Sequence, residues 1–124
     1  MWKGLLIVAA SGALGAVARW LLQRWVDGFG PVSGVPLGVL AANVLGCAAF
    51  GYIFGVGESR DWLTEGWRLA LFTGFLGSFT TFSTFSWQTL ELLRSGQGLL
   101  ALTYVLVSIG AGLFAVWGGL LLAR

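Results

Sequence analysis

Three features of this sequence predict an all-α membrane protein with four transmembrane helices, the third broken near the bilayer midplane. Hydrophobic residues make up 57% of the chain and charged ones only 10%, with a mean hydropathy of +0.87. That leaves too little polar surface for a soluble domain of 124 residues. Long apolar runs recur four times, each of about 20 residues or more, and at about 1.5 Å per residue each matches a hydrocarbon core of about 30 Å. Inside the third run, where lipid favours uninterrupted helix, stands Gly74-Phe75-Leu76-Gly77-Ser78-Phe79-Thr80-Thr81-Phe82-Ser83-Thr84-Phe85. Glycine weakens a helix, and clustered hydroxyls bond locally and favour helix starts, so the helix is expected to stop between Gly77 and Thr80 and restart. Backbone freed at that depth must be buried in protein or line a watery cavity, which makes the break a candidate site.

The composition also excludes. With no His, one Cys and no acid deep in any span, the usual groups of hydrolytic, redox and transition-metal chemistry are missing, and an enzyme is not expected. The seven basic and five acidic residues are scattered singly, so no basic tract points to nucleic acid. Cys47, alone in an apolar run, reads as packing.

A single four-helix transmembrane domain fills residues 1–124, with spans at about 4–25, 36–56, 68–93 and 98–123. The first is longer than the roughly 7–15 apolar residues of a signal-peptide core. Its Ser11/Gly15 and Gly12/Ala16 pairs place small residues on one face for close helix contact. Arg19, before Trp20 and Trp25, has two readings: snorkelling to the headgroups, or attracting an anion at a pore mouth. Asp27 to Val35 is a turn-rich loop, and Pro36 suits the first turn of the second span.

The second span carries Ala42/Gly46 and Gly51/Gly55 as further small pairs. Its one deep polar group, Asn43, either holds the bundle together through an interhelical hydrogen bond or aims a donor into a permeation path. Gly57 to Gly66, with Glu58, Arg60, Asp61 and Glu65, reads as an aqueous loop flanked by Trp62 and Trp67. Beyond the break in the third span, Phe79, Phe82 and Phe85 recur every three residues and are expected on one helix face, with Ser83 and Thr84 beside them. A purely lipid-facing stripe has no use for those hydroxyls. The fourth span places Tyr104 and Ser108 one turn apart as a short polar track; the bland alternative is an interfacial Tyr104 and a Ser108 bonded to its own backbone.

Four spans put Lys3, Arg60, Arg68 and Arg124 on one side of the membrane and Arg19, Arg24 and Arg94 on the other. Four against three does not choose an orientation, so insertion both ways and pairing of oppositely oriented copies about an in-plane two-fold axis are expected. Four short helices enclose little space, which makes a dimer the smallest transport unit.

The Gly74–Phe85 run closely resembles the signature of the Fluc/CrcB fluoride channel family, small four-helix proteins that form antiparallel dual-topology homodimers. Gly12-Ala13-Leu14-Gly15-Ala16-Val17-Ala18-Arg19-Trp20 is similar to that family's first-helix motif, and Pro36-Leu37-Gly38-Val39-Leu40-Ala41-Ala42-Asn43-Val44-Leu45-Gly46 to its second. The resemblance implies passive efflux of cytoplasmic fluoride across a bacterial inner (plasma) membrane. It implies a central Na+ held between subunits by the carbonyls of Gly77 and Thr80. It implies a fluoride route lined by Phe82, Phe85 and Asn43, with Tyr104 and Ser108 as the fourth-helix track. Two positions depart from the family pattern: Gly112 has no hydroxyl where the track continues, and Trp20 replaces a tyrosine. The rival readings are a proton-coupled dual-topology exporter, which needs a membrane-buried carboxylate, and a structural membrane subunit, which leaves the hydroxyl-bearing break unexplained.

Overall fold

A computed structural model describes all residues, 1–124. The spans are helical apart from one break in the third. Helix α1 covers Trp2–Asp27, α2 Gly38–Arg60 and α5 Gly98–Leu122, and each of these three is long and apolar enough to cross a membrane unaided. The third predicted span is divided. Its first piece, α3, is a rod that begins as α-helix (Glu65–Arg68), widens into a π-helix (Leu69–Leu76) and tightens again over Gly77–Phe79. Its second piece, α4, is Phe82–Arg94.

Local chemistry accounts for the ends. The amide of Gly38, first in α2, donates to Asp27 Oδ1 at 2.8 Å, so the last residue of α1 caps α2 across the intervening turn. The sequence expectation of an aqueous loop from Gly57 is corrected: Glu58, Ser59 and Arg60 continue α2. These residues tolerate helix, and the stop comes only at Asp61, whose φ of 50° closes the helix in the left-handed region. Thr64 caps α3 by accepting from the Trp67 amide. After α4, Gly96 takes φ 78°, and the amides of Gly96 and Gln97 return to the carbonyls of Leu93 and Leu92, a Schellman turn that reverses the chain into α5.

Helices pack where small residues let backbones meet. A Cβ on Gly15 would run into the carbonyl of Phe75, and one on Gly74 into Ser11, so α1 and α3 touch backbone to backbone. The Gly51 face meets the Val116 carbonyl and the Gly119 face the Ala48 carbonyl, which seats α2 on α5 in the same way. Few residues are buried, none of them polar or charged, while Leu14, Leu106, Leu113 and Phe114 are exposed. This outward apolar surface is what a chain solvated by lipid tails requires.

Candidate ion pathway at the helix break

The helix stops later than the glycines suggest. Gly77 remains helical at φ −60° and ψ −31°, whereas Thr80 (φ −89°, ψ 158°) and Thr81 (φ −146°, ψ 120°) are extended. Two threonines make the break because β-branched residues accept extended backbone and because partners wait for the groups released there. Asn43 of α2 grips Thr81 twice: its Oδ1 accepts from the Thr81 amide at 2.7 Å and its Nδ2 donates to the Thr81 carbonyl at 3.0 Å. Thr81 Oγ1 caps α4 by accepting from the Thr84 amide at 3.3 Å and donates to Thr84 Oγ1 at 3.1 Å. Thr80 Oγ1 folds back onto the Leu76 carbonyl at 3.0 Å.

Arg19 reaches from α1 to the break, its Nε donating to the Ser78 carbonyl at 3.0 Å. A guanidinium there satisfies a carbonyl at the end of α3, where the helix dipole places partial negative charge.

Two clefts open at the break. One of about 290 Å³ is lined by Asn43, Thr80, Thr81, Phe82, Phe85 and Ser108, among others. Its neighbour, about 380 Å³, includes Gly46, Phe50, Gly77 and Val116 and shares Thr80 and Cys47 with the first. Phe82 is 79% exposed; its ring centroid lies 5.9 Å from that of Phe85, which in turn lies 5.4 Å from Tyr104. Ser108 Oγ is buried and has no hydrogen-bond partner, its own backbone included. Tyr104 is buried, and its hydroxyl donates to Gln88 Oε1 at 2.5 Å.

The sequence-derived candidates therefore divide. Asn43, Thr80, Phe82, Phe85 and Ser108 share one cleft, Gly77 lines the other, Tyr104 meets Phe85 with its ring tilted at 48°, and Ser83 and Thr84 belong to the capping turn around Thr81. The expected three-ring face is corrected: Phe79 lies before the break and stacks on Phe75, centroids 5.9 Å apart and planes 12° apart. The break resets the helical register, so Phe79 and Phe82 do not share a face. Sequence pattern alone gives no role to Gln88 or Thr81. A rule that every amide or hydroxyl inside a span needs a partner would have found both.

Ion pairs are confined to Arg68–Glu58 and Arg94–Glu91, all four side chains well exposed. No carboxylate is buried within the chain.

A family model described as "CrcB-like protein, Camphor Resistance (CrcB)" matches residues 6–120. The chain is 50% identical over 116 residues to the fluoride-specific ion channel FluC 2 of Symbiobacterium thermophilum, with 94% of each chain covered. It is 43% identical to the fluoride-specific ion channel FluC of Nitratidesulfovibrio vulgaris, over 94% of this chain and 93% of the other. To the protein of the same name from Azotobacter vinelandii it is 41% identical, over 96% and 95%. A match that runs through all four predicted spans, together with a break built from the motif residues, makes this chain a member of the CrcB family.

Proposed function

We propose that this protein is a fluoride-selective channel, a passive pore rather than an enzyme, that lets cytoplasmic fluoride leave through a bacterial plasma membrane. The observation that carries the reading is the cleft beside the break, where two phenylalanine rings and an unpartnered serine hydroxyl meet at a point of interrupted helix. A phenyl ring has a positive edge, so the edges of Phe82 and Phe85 can replace part of a small anion's water shell. Ser108 Oγ has a proton to give, and Asn43 Nδ2 keeps one N–H beyond that bonded to Thr81. Fluoride, the smallest halide, gains most from such close donors.

The working unit is an antiparallel homodimer. Phe82 stands exposed at the depth of the break, and carbonyls released there are costly against lipid, so a second copy covering this face relieves both. The carbonyls of Gly77 and Thr80 suit a hard monovalent cation. The amides that would close a helix onto them, those of Thr81 and Thr84, are bonded to Asn43 Oδ1 and Thr81 Oγ1 instead. Gly77 and Thr80 from two copies would hold Na+ at the two-fold axis, where its charge offsets two facing helix C-termini and makes the centre less hostile to an anion. Arg19 adds a fixed positive charge at the neighbouring Ser78 carbonyl.

The test is ion efflux from liposomes reconstituted with this protein alone. Fluoride should leave far faster than chloride under identical gradients. Fluoride release no faster than from protein-free liposomes would refute the reading.

A further inference from the structure

We infer that Thr81 is the positioning residue of the carbonyl pair: its amide and hydroxyl together keep the Gly77 and Thr80 carbonyls out of the helical ladder. The inference rests on the cation reading above. In an uninterrupted helix the Gly77 carbonyl receives the amide of Thr81, and the Thr80 carbonyl that of Thr84. Both donors are diverted through one residue. The Thr81 amide goes to Asn43 Oδ1 at 2.7 Å, and the Thr84 amide goes to Thr81 Oγ1 at 3.3 Å. The hydroxyl proton of Thr81 points on to Thr84 Oγ1 at 3.1 Å, which leaves the Thr81 oxygen free to accept. Asn43 Nδ2 closes the clamp on the Thr81 carbonyl. The Thr80 hydroxyl donates its proton to the Leu76 carbonyl, which turns that side chain back along α3. Gly46 completes the arrangement, since a Cβ there would strike the methyl of Thr80 and push the break away from α2.

Valine separates the two roles of Thr81. It keeps the β-branched shape and the volume but has no oxygen, so the Thr84 amide loses its partner, and the backbone at 81 gains by turning helical and giving that amide to the Thr80 carbonyl. The experiment measures thermal unfolding of the purified full-length protein in detergent as sodium is titrated against N-methylglucamine. The unsubstituted protein should gain stability with a saturable sodium midpoint. Thr81→Val should raise that midpoint by about tenfold, the factor corresponding to one net hydrogen bond, and Thr81→Ser should hold it within about threefold. Loss of an ordinary cap lowers the unfolding temperature equally at every sodium concentration and leaves the midpoint alone; that result for Thr81→Val overturns the inference. A midpoint absent from the unsubstituted protein removes the cation reading and the inference with it. If Thr81→Val does not fold, a 13C-carbonyl label at Thr80 of the unsubstituted protein decides: its signal should move when sodium is exchanged, and an indifferent signal overturns the inference.

Discussion

Ser108 is the residue at which a conducting role and a structural one make opposite forecasts. Its hydroxyl is buried beside the phenylalanines and bonds nothing, so Ser108→Ala removes no intramolecular hydrogen bond and should leave the unfolding midpoint unchanged or slightly higher. Fluoride efflux should nevertheless fall by about tenfold, one donor's worth of anion stabilisation. Equal flux from the alanine variant would remove Ser108 from the route. The rings are tested the same way. Phe85→Ile keeps apolar bulk but loses the polarised edge, and flux should drop by at least about tenfold with dimer yield preserved; Phe79→Ile, whose ring stacks on Phe75 away from the cleft, should change stability more than flux. Asn43, Phe82, Phe85 and Ser108 are legible in the sequence because a polar or ring-bearing residue at a periodic position within lipid is itself a signal. The role of Arg19 is not. Its carbonyl partner, Ser78, lies 59 positions away, and which way a long side chain turns depends on a neighbour that local pattern does not specify.

The third span's division is readable at the level of the element, and the break falls at the far end of the expected Gly77 to Thr80 stretch, at Thr80 and Thr81. Helix propensity alone points to glycine as the breaking residue, whereas the break falls where Asn43 and a capping hydroxyl receive the released amides. Tertiary partners outweigh a propensity difference of about 1 kcal/mol. The π-helical stretch Leu69–Leu76 is invisible in the sequence for a related reason: Leu69-Ala70-Leu71-Phe72 is ordinary helix-forming sequence, and what distinguishes the segment is its backbone contact with α1. Gly15 is the centre of that contact. Gly15→Ala would drive a methyl into the Phe75 carbonyl, and close packing gives it nowhere to go, so the substitution should cost about 1–3 kcal/mol. Reversible unfolding in mixed micelles measures this directly. Gly118→Ala, on an open face of α5 with nothing near the added methyl, is the control and should be neutral; equal effects at the two sites would contradict backbone-to-backbone packing of α1 on α3.

For the whole molecule, the decisive property is orientation, and the sequence carries it as a near-balance of four basic residues against three. If the working unit is antiparallel, a chain forced into one orientation has no partner. The positive-inside rule offers the means, since lysines added to a short loop near the span ends bias insertion. Glu58→Lys with Ser59→Lys raises the side bearing Arg60 from four basic residues to six, at two exposed positions at the end of α2. Ser95→Lys with Gln97→Lys, also exposed, loads the opposite side between α4 and α5. Each double variant expressed alone should insert one way, as read by labelling a C-terminal cysteine from each side of the membrane, and should leave cells without fluoride efflux. Expressing the two together should restore it, because each now supplies the orientation that the other lacks. Positions 58 and 59 lie outside both clefts, so loss of flux cannot be assigned to damaged lining residues, and complementation cannot arise by repairing them. Full efflux from a single variant shown to insert in one orientation would refute the antiparallel arrangement. The four-helix fold and the cleft beside Thr81 would stand, and a parallel or single-chain pore would have to satisfy the released carbonyls of Gly77 and Thr80 in some other way.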